Sequence, residues 1–234
     1  VRRVIRRLPG LRAFAALLSL ATLLTAALAA QQTGVHPISG RRYAQVMGYQ
    51  GADWLERLER DDEEAPNVAL DVLKIAKGSS VADIGAGSGY ITLRLSTRVG
   101  PTGRVYATDI QPQMLQMLGQ KLSEKHITNV TLVQGTFDDP KLDPASVDLA
   151  LMIDVYHELS EPQAMLRHIR AALKPGGRLV LLEYRKEDPT VPIKPDHKMS
   201  VAVAKLEVEA EGYTLAKVDE SLPRQHILIF TARP

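Results

Sequence analysis

The sequence predicts an α/β protein built on a mostly parallel sheet, and three observations carry that expectation. From residue 66 onward, short apolar runs alternate with amphipathic stretches of helical length. The first apolar run closes on a glycine-rich turn that opens a helix, as in a nucleotide-binding βαβ unit. The last two runs are joined by a short turn around Pro223, which suits an antiparallel hairpin. Strands separated by helices of this length pair in parallel through right-handed crossovers.

The elements follow in order. Residues 52–60 read as a short amphipathic helix capped by Asp53, with Trp54 as a packing anchor. Pro66 suits the first turn of the next helix, 67–76, in which Val68, Leu70, Val72, Leu73 and Ile75 are apolar. Strand 80–84 leads to helix 90–99, and strand 104–109 to helix 112–125, with Met114, Leu115, Leu118 and Leu122 on one face. Strand 130–134 precedes a loop through Asp138-Asp139-Pro140. Strand 147–153 is followed by helix 161–173 and a Lys174-Pro175-Gly176-Gly177 turn. Strand 178–184, helix 198–211 and strands 213–220 and 226–232 complete the chain.

The turn after the first strand reads Asp83-Ile84-Gly85-Ala86-Gly87-Ser88-Gly89. Glycine lets a ligand approach bare backbone, and the helix behind it offers unpaired N–H groups with a positive dipole end. Asp109 closes the second strand, twenty residues beyond Gly89, where a ribose-binding carboxylate is expected. A dinucleotide fingerprint is G-x-G-x-x-G, but here Gly85, Gly87 and Gly89 give G-x-G-x-G, with Tyr90 at the sixth position.

With Asp83 two positions ahead, this pattern resembles motif I of class I S-adenosylmethionine-dependent methyltransferases, and Asp109 resembles the acid ending their second strand. The Lys-Pro-Gly-Gly turn is a further shared feature. The resemblance spans about residues 66–234 and looks closest to bacterial methyltransferase-domain proteins with an exported N-terminus. It implies a Rossmann-like, doubly wound, seven-stranded sheet with an antiparallel last strand and helices on both faces. S-adenosyl-L-methionine is the implied cofactor. Gly85, Gly87 and Gly89 would face its methionine part, Asp83 would order the loop and contact the amino group, Asp109 would take both ribose hydroxyls, and Ile110 would pack on the adenine. In the Gly135-Thr136-Phe137-Asp138 stretch, Thr136 stands where the family often has Asp. Either Asp138 substitutes, or backbone and Phe137 hold the adenine, or Asp138 simply caps the turn.

Ligands in such folds sit at the carboxyl ends of the strands. After the fourth strand come Asp154-Val155-Tyr156-His157-Glu158. Asp154 is expected beside the cofactor, with His157 and Glu158 as general-base candidates and pocket shaping or helix capping as the alternative. Asp154, His157 and Glu158 make poor metal spacing, and no metal is expected. Glu183-Tyr184-Arg185 could line an acceptor cavity. His197 reads more readily as a surface loop histidine than as a group folded over that cavity.

Composition sets bounds. The chain has 234 residues and no cysteine, which excludes disulfides, zinc–thiolate sites and a cysteine nucleophile and weakens thiol-dependent arsenic methylation. Residues 1–30 hold five arginines and no acid, so the net charge of +2 conceals a mildly acidic remainder, which argues against nucleic acid as partner. Residues 13–30 are apolar or small apart from Ser19, Thr22 and Thr25, and Ala27-Leu28-Ala29 offers a cleavage site. That is the layout of a signal peptide, with the paired arginines admitting a twin-arginine route. An uncleaved anchor touching the membrane through residues 13–30 is the alternative, since a spanning helix needs about 20 residues. A cytosolic enzyme with an apolar N-terminal helix is the third reading.

The expected organisation is a signal peptide or anchor at 1–30, a linker and short amphipathic helix at 31–65, and a methyltransferase domain at 66–234. The expected function is methyl transfer to a small-molecule acceptor, exported (periplasmic or extracellular) or membrane-anchored. An export signal sits awkwardly with a cofactor made in the cytosol. Two alternatives stay open: a non-catalytic exported binding protein on the same fold, and an NAD(P)-dependent oxidoreductase.

Overall fold

A computed structural model describes residues 34–233, so the signal or anchor expected at 1–30 lies outside the described residues. The chain divides into two compact units, with the boundary between Arg42 and Tyr43. The described residues of the first form a tight turn in which Val35 bridges Arg42 and His36 Nδ1 accepts from the Ile38 and Ser39 N–H groups.

The second unit is the α/β body. Three short helices lead in: α1 (Ala52–Leu55), α2 (Arg60–Glu64) and α3 (Pro66–Leu73). Then β1 (Ser80–Ile84), α4 (Tyr90–Val99), β2 (Arg104–Asp109), α5 (Pro112–Glu124), β3 (Val130–Gln134) and β4 (Val147–Ile153) follow. The chain closes with α6 (Pro162–Ala172), β5 (Leu173–Tyr184), α7 (Val201–Ala210), β6 (Tyr213–Asp219) and β7 (Gln225–Ala232). The strands form one seven-stranded sheet in the order β3-β2-β1-β4-β5-β7-β6. Every pairing is parallel except those of β7, which runs antiparallel to both neighbours. The expected doubly wound sheet with its antiparallel last strand is therefore present.

Alternation along the strands sorts side chains onto two faces. Val81, Leu149, Leu151, Val180 and Ile229 pack with Leu70 and Leu73 of α3 and Leu95 and Val99 of α4. Their neighbours Ala82, Ala150, Met152, Leu181 and Phe230 pack with Leu166 and Ile169 of α6 and Val208 of α7. Central strands buried on both faces explain the near-continuous apolar runs.

Several boundaries differ from the sequence reading. The expected helix 67–76 ends at Leu73, where Lys74 turns left-handed at φ 48°. The Lys174–Gly177 turn is an excursion inside β5: Val147 pairs Leu173, then Leu149 pairs Arg178, with Gly176 at φ 79° making the bend. Residues 52–60 form two short pieces instead of one helix. A four-residue helix has no face broad enough to bury an indole, so Trp54 is 42% exposed, with the Arg57 guanidinium 3.7 Å over its ring.

The stretch read as a linker is pinned to the body from Tyr43 onward. The Ala44 N–H donates to the His157 carbonyl at 3.0 Å. Gln111 accepts from the Tyr49 N–H at 2.8 Å and donates to the Met47 carbonyl at 2.9 Å. Arg60 and Glu64 of α2 are both buried and bonded to each other at 2.7 Å, with Tyr184 donating to Glu64 at 3.0 Å. These bonds hold residues 43–65 across the carboxyl ends of the strands.

Candidate active site

Strand order reverses between β1 and β4, so the loops after these two strands diverge and leave a crevice. A cavity of about 380 Å³ opens there, within the usual range for small-ligand sites. Its walls come from the ends of β1, β2, β3, β4 and β5, from residues 46–60 above, and from the loop carrying Pro192 and His197.

One end of the cavity is the glycine turn. Gly85 (φ 74°) and Gly87 (φ 54°) both line it. A Cβ on Gly85 would stand 2.5 Å from Val155 Cγ2, so only glycine fits between the two loops. Gly89 is different: it lies off the cavity wall, at the start of α4. A Cβ there would meet Leu118 Cδ1 at 2.3 Å, and φ is 95°, so its bareness serves the packing of α4 against α5. Gly89→Ala is expected to lower unfolding stability by about 1–3 kcal/mol. Ligand affinity in the folded fraction should stay within about twofold; parallel urea melts and ligand titrations check both.

Asp109 ends β2 at the cavity. Its Oδ2 accepts from the Gly87 N–H at 2.9 Å and its Oδ1 from the Gln111 N–H at 2.8 Å. Burial raises its pKa and these backbone donors oppose that rise. Asp83 is buried beneath the turn and accepts from Thr92 Oγ1 at 2.6 Å; burial pushes its carboxyl up to about 6. Ile110, Gly135, Thr136 and Phe137 continue the wall. Asp138 does not join them. Its carboxylate takes the Thr136 hydroxyl at 2.7 Å outside the cavity, while the 56%-exposed Phe137 ring reaches the wall.

Asp154 sits in the crevice itself, in a left-handed backbone conformation at φ 54°. Its Oδ2 accepts from Gln225 Nε2 at 2.7 Å, whereas its buried Oδ1 has no hydrogen-bond partner. Burial, reinforced by the charges of Glu64 and Glu183, holds this carboxyl well above the carboxylate range.

The other end of the cavity is a histidine–carboxylate cluster. His157 is buried with Nδ1 2.5 Å from Glu183 Oε2, and Glu183 is fully buried with its Oε1 taken by the Tyr156 N–H at 2.9 Å. A carboxylate only accepts, so Nδ1 carries the proton and Nε2 turns to the cavity side. Burial works against charge on His157, but the adjacent Glu183 outweighs it and raises the pKa. Glu158 lies alongside, its carboxyl pushed up to about 7 by burial. His197 completes the group, with Nδ1 3.1 Å from His157 Nε2 and 3.8 Å from Glu158 Oε1. It is thus no bland surface loop histidine: the turn at Pro195–His197 folds it onto the cavity. Burial and the neighbouring His157 lower its pKa.

Of the sequence-nominated residues, the structure brings Asp83, Gly85, Gly87, Asp109, Ile110, Asp154, His157 and Glu158 to one cavity. It leaves Gly89 and Asp138 off it. Sequence reasoning missed Arg60, Met47 and Gln111, and undervalued His197. The Arg60/Glu64 spacing of four was the one available hint for the first.

Asp83, Asp109, Asp154 and Glu158 all have pKa values raised chiefly by burial, so ionising them is costly without a compensating positive charge, which a cationic ligand would supply. The orphaned Asp154 oxygen and the glycine cradle fit the ammonium and methionine backbone of S-adenosylmethionine, whose sulfonium adds a second positive charge.

The chain is similar to known proteins. The family described as a methyltransferase domain matches residues 81–177. The ubiquinone/menaquinone biosynthesis C-methyltransferase UbiE of Hahella chejuensis is 35% identical over 130 residues, 53% of this chain and 49% of that protein. UbiE of Pseudomonas aeruginosa is 36% identical over 123 residues, 50% of this chain and 46% of that one. The chain therefore spans about half the length of the curated relatives it matches. Among solved structures, a SAM-dependent methyltransferase from Aquifex aeolicus is 25% identical with a TM-score of 0.75, covering 79% of this chain and 98% of its own. Residues 81–177 match the methyltransferase-domain family, and the fold that carries them is that of the class I S-adenosylmethionine-dependent methyltransferases.

Proposed function

We propose that this protein is an enzyme that transfers a methyl group from S-adenosyl-L-methionine to a small-molecule acceptor. The observation that carries the reading is the two-ended cavity, with the glycine turn and Asp109 at one end and the His157 cluster at the other. Bound S-adenosylmethionine supplies a methyl group already activated on a sulfonium. The chain's task is then to align, to exclude water and to manage one proton. Asp109 takes the ribose hydroxyls, Ile110 and Phe137 flank the adenine, and the Gly85–Gly87 backbone with Asp83 and Asp154 holds the methionine part. Residues 43–65 close the site from above. His157 and Glu158, steered by Glu183, act on the acceptor proton. A base is needed only where the acceptor carries one to lose.

The spacing of the glycine turn and the methyltransferase-domain match speak against a nicotinamide-dependent oxidoreductase. A non-catalytic binding protein would need no ordered Glu183–His157 pair at the far end. The relatives' names make acceptors on the way to ubiquinone and menaquinone the first to assay. The mildly acidic body supports a small molecule rather than nucleic acid. Incubation with methyl-labelled S-adenosylmethionine and a small-molecule extract is expected to place label in an extractable product. Label confined to protein or nucleic acid would contradict the acceptor class.

We also propose that residues 1–30 direct export or anchoring of the domain, on the strength of their arginine-rich start and apolar run. Among the described residues no helix is long and apolar enough to cross a membrane. Cell fractionation with and without residues 1–30 tests this: release into the cytosol is expected only on deletion.

A further inference from the structure

We propose that His157 Nε2, His197 Nδ1 and the Glu158 carboxylate form a binding site for a divalent transition-metal ion, for which Zn²⁺ is the probe. The three ligand atoms lie within 4.8 Å of one another. The two nitrogens are 3.1 Å apart. Two ligands about 2.1 Å from one metal at tetrahedral or octahedral angles are separated by about 3.0–3.4 Å. The Glu158 oxygen lies 3.8 Å from His197 Nδ1, on the same side of the cavity as the two nitrogens. Two imidazoles and a carboxylate are the donor set of catalytic sites that keep coordination positions open.

The surroundings strengthen the assignment. Glu183 takes the His157 Nδ1 proton at 2.5 Å, which leaves Nε2 as the ligating nitrogen and fixes the ring. Glu183 is itself fixed by the Tyr156 N–H at 2.9 Å. A carboxylate behind a histidine that faces inward is the support found around metal-ligating imidazoles. The sequence alone could not show the site, because Asp154, His157 and Glu158 do not close around an ion. The third ligand arrives from a loop forty residues further on.

All three ligands line the same cavity as Gly85 and Asp109. The open coordination positions therefore face the acceptor end. This role rests on the methyltransferase reading above, whereas ion binding itself does not. With the ion bound, His157 Nε2 and Glu158 would serve as its ligands and no longer as proton acceptors. An acceptor hydroxyl bound to the ion would instead lose its proton to water more readily, and its oxygen lone pair would form the new bond to the methyl carbon. The C–S bond would break with its pair going to sulfur, leaving S-adenosylhomocysteine. The acceptor class this favours is a phenol or enol able to offer an oxygen to the ion.

The test uses the untagged full chain, freed of metal with a chelator and titrated with Zn²⁺ by calorimetry. Co²⁺ serves as a spectroscopic probe, and S-adenosylmethionine is titrated into the same preparations. One equivalent of Zn²⁺ is expected to bind. His197→Ala and Glu158→Gln should weaken it at least about tenfold, and Glu183→Gln should do so through the orientation of His157. Co²⁺ should give a visible d–d band that His197→Ala abolishes. Because His157→Ala leaves Glu183 buried and unpaired, the variant at the half-buried loop residue, His197→Ala, is the deciding one. No stoichiometric binding, or binding that His197→Ala and Glu158→Gln leave unchanged, overturns the proposal. S-adenosylmethionine binding without Zn²⁺ binding would refute the ion and spare the methyltransferase reading. Zn²⁺ binding without S-adenosylmethionine binding would do the reverse.

Discussion

Asp109→Ala is expected to weaken S-adenosylmethionine binding about a hundredfold while leaving the domain folded. The carboxylate is the one group at the end of β2 able to accept from both hydroxyls of a ribose, and hydrogen bonds to a charged acceptor contribute about 1.5–3 kcal/mol each. Two of them amount to roughly two to four decades of affinity. Loss of the Gly87 and Gln111 N–H partners adds to this by loosening the glycine turn. The same two bonds bear on folding, but their loss is partly offset because a desolvated charge is also removed. The melting temperature should fall by only a few degrees, as a change of about 1 kcal/mol implies for a chain of this size. Calorimetry with thermal melts on the same samples separates the two effects. A variant that binds as tightly as the parent would remove Asp109 from the site.

The second large effect is on pH. Asp83 titrates at about 6 in the folded domain, above its ordinary 3.8, because burial disfavours the charge. Burial likewise raises Asp109 and Asp154. A raised acid contributes stability that is complete below its unfolded pKa and is lost as pH rises through the folded value. The ligand-free domain should therefore be more stable near pH 5 than near pH 8, with Asp83 losing its share between about 4 and 6. A cationic ligand reverses the sense, since it favours the ionised carboxylates. S-adenosylmethionine should bind about ten- to a hundredfold more weakly at pH 5.5 than at pH 7.5, with protons released on binding at the lower pH. Asp83→Asn should flatten the profile. Affinity that is unchanged or rises toward acid would show that these carboxyls do not face the positive charge.

What could be read from the sequence was local. Short apolar runs between helical stretches and the G-x-G-x-G turn placed β1 to β7 to within a few residues, because each strand and cap is specified by adjacent residues. Asp83, Gly85, Gly87, Asp109 and Ile110 were found because one βαβ unit contains them all. Distances across the fold were not legible. His197 looked like a loop histidine, since nothing within forty residues of His157 announces that the two rings meet. The roof at 43–65 looked like a linker and a short helix, with nothing to show it as a roof, because its anchors, Arg60–Glu64, Tyr184–Glu64 and Gln111–Met47, are mostly long-range bonds with no periodicity. Gly89 and Asp138 show the opposite error. The motif places Gly89 near the ligand and the loop after β3 admits Asp138 there as one option, whereas packing against Leu118 and a bond to Thr136 occupy them elsewhere.

The central claim is that the crevice between β1 and β4 holds S-adenosylmethionine, and a calorimetric titration of the full chain with that ligand at pH 7.5 tests it most directly. The account requires saturable one-site binding that S-adenosylhomocysteine competes for and NAD(P) does not. A folded protein that takes up no S-adenosylmethionine, or that binds NAD(P) in its place, would contradict it.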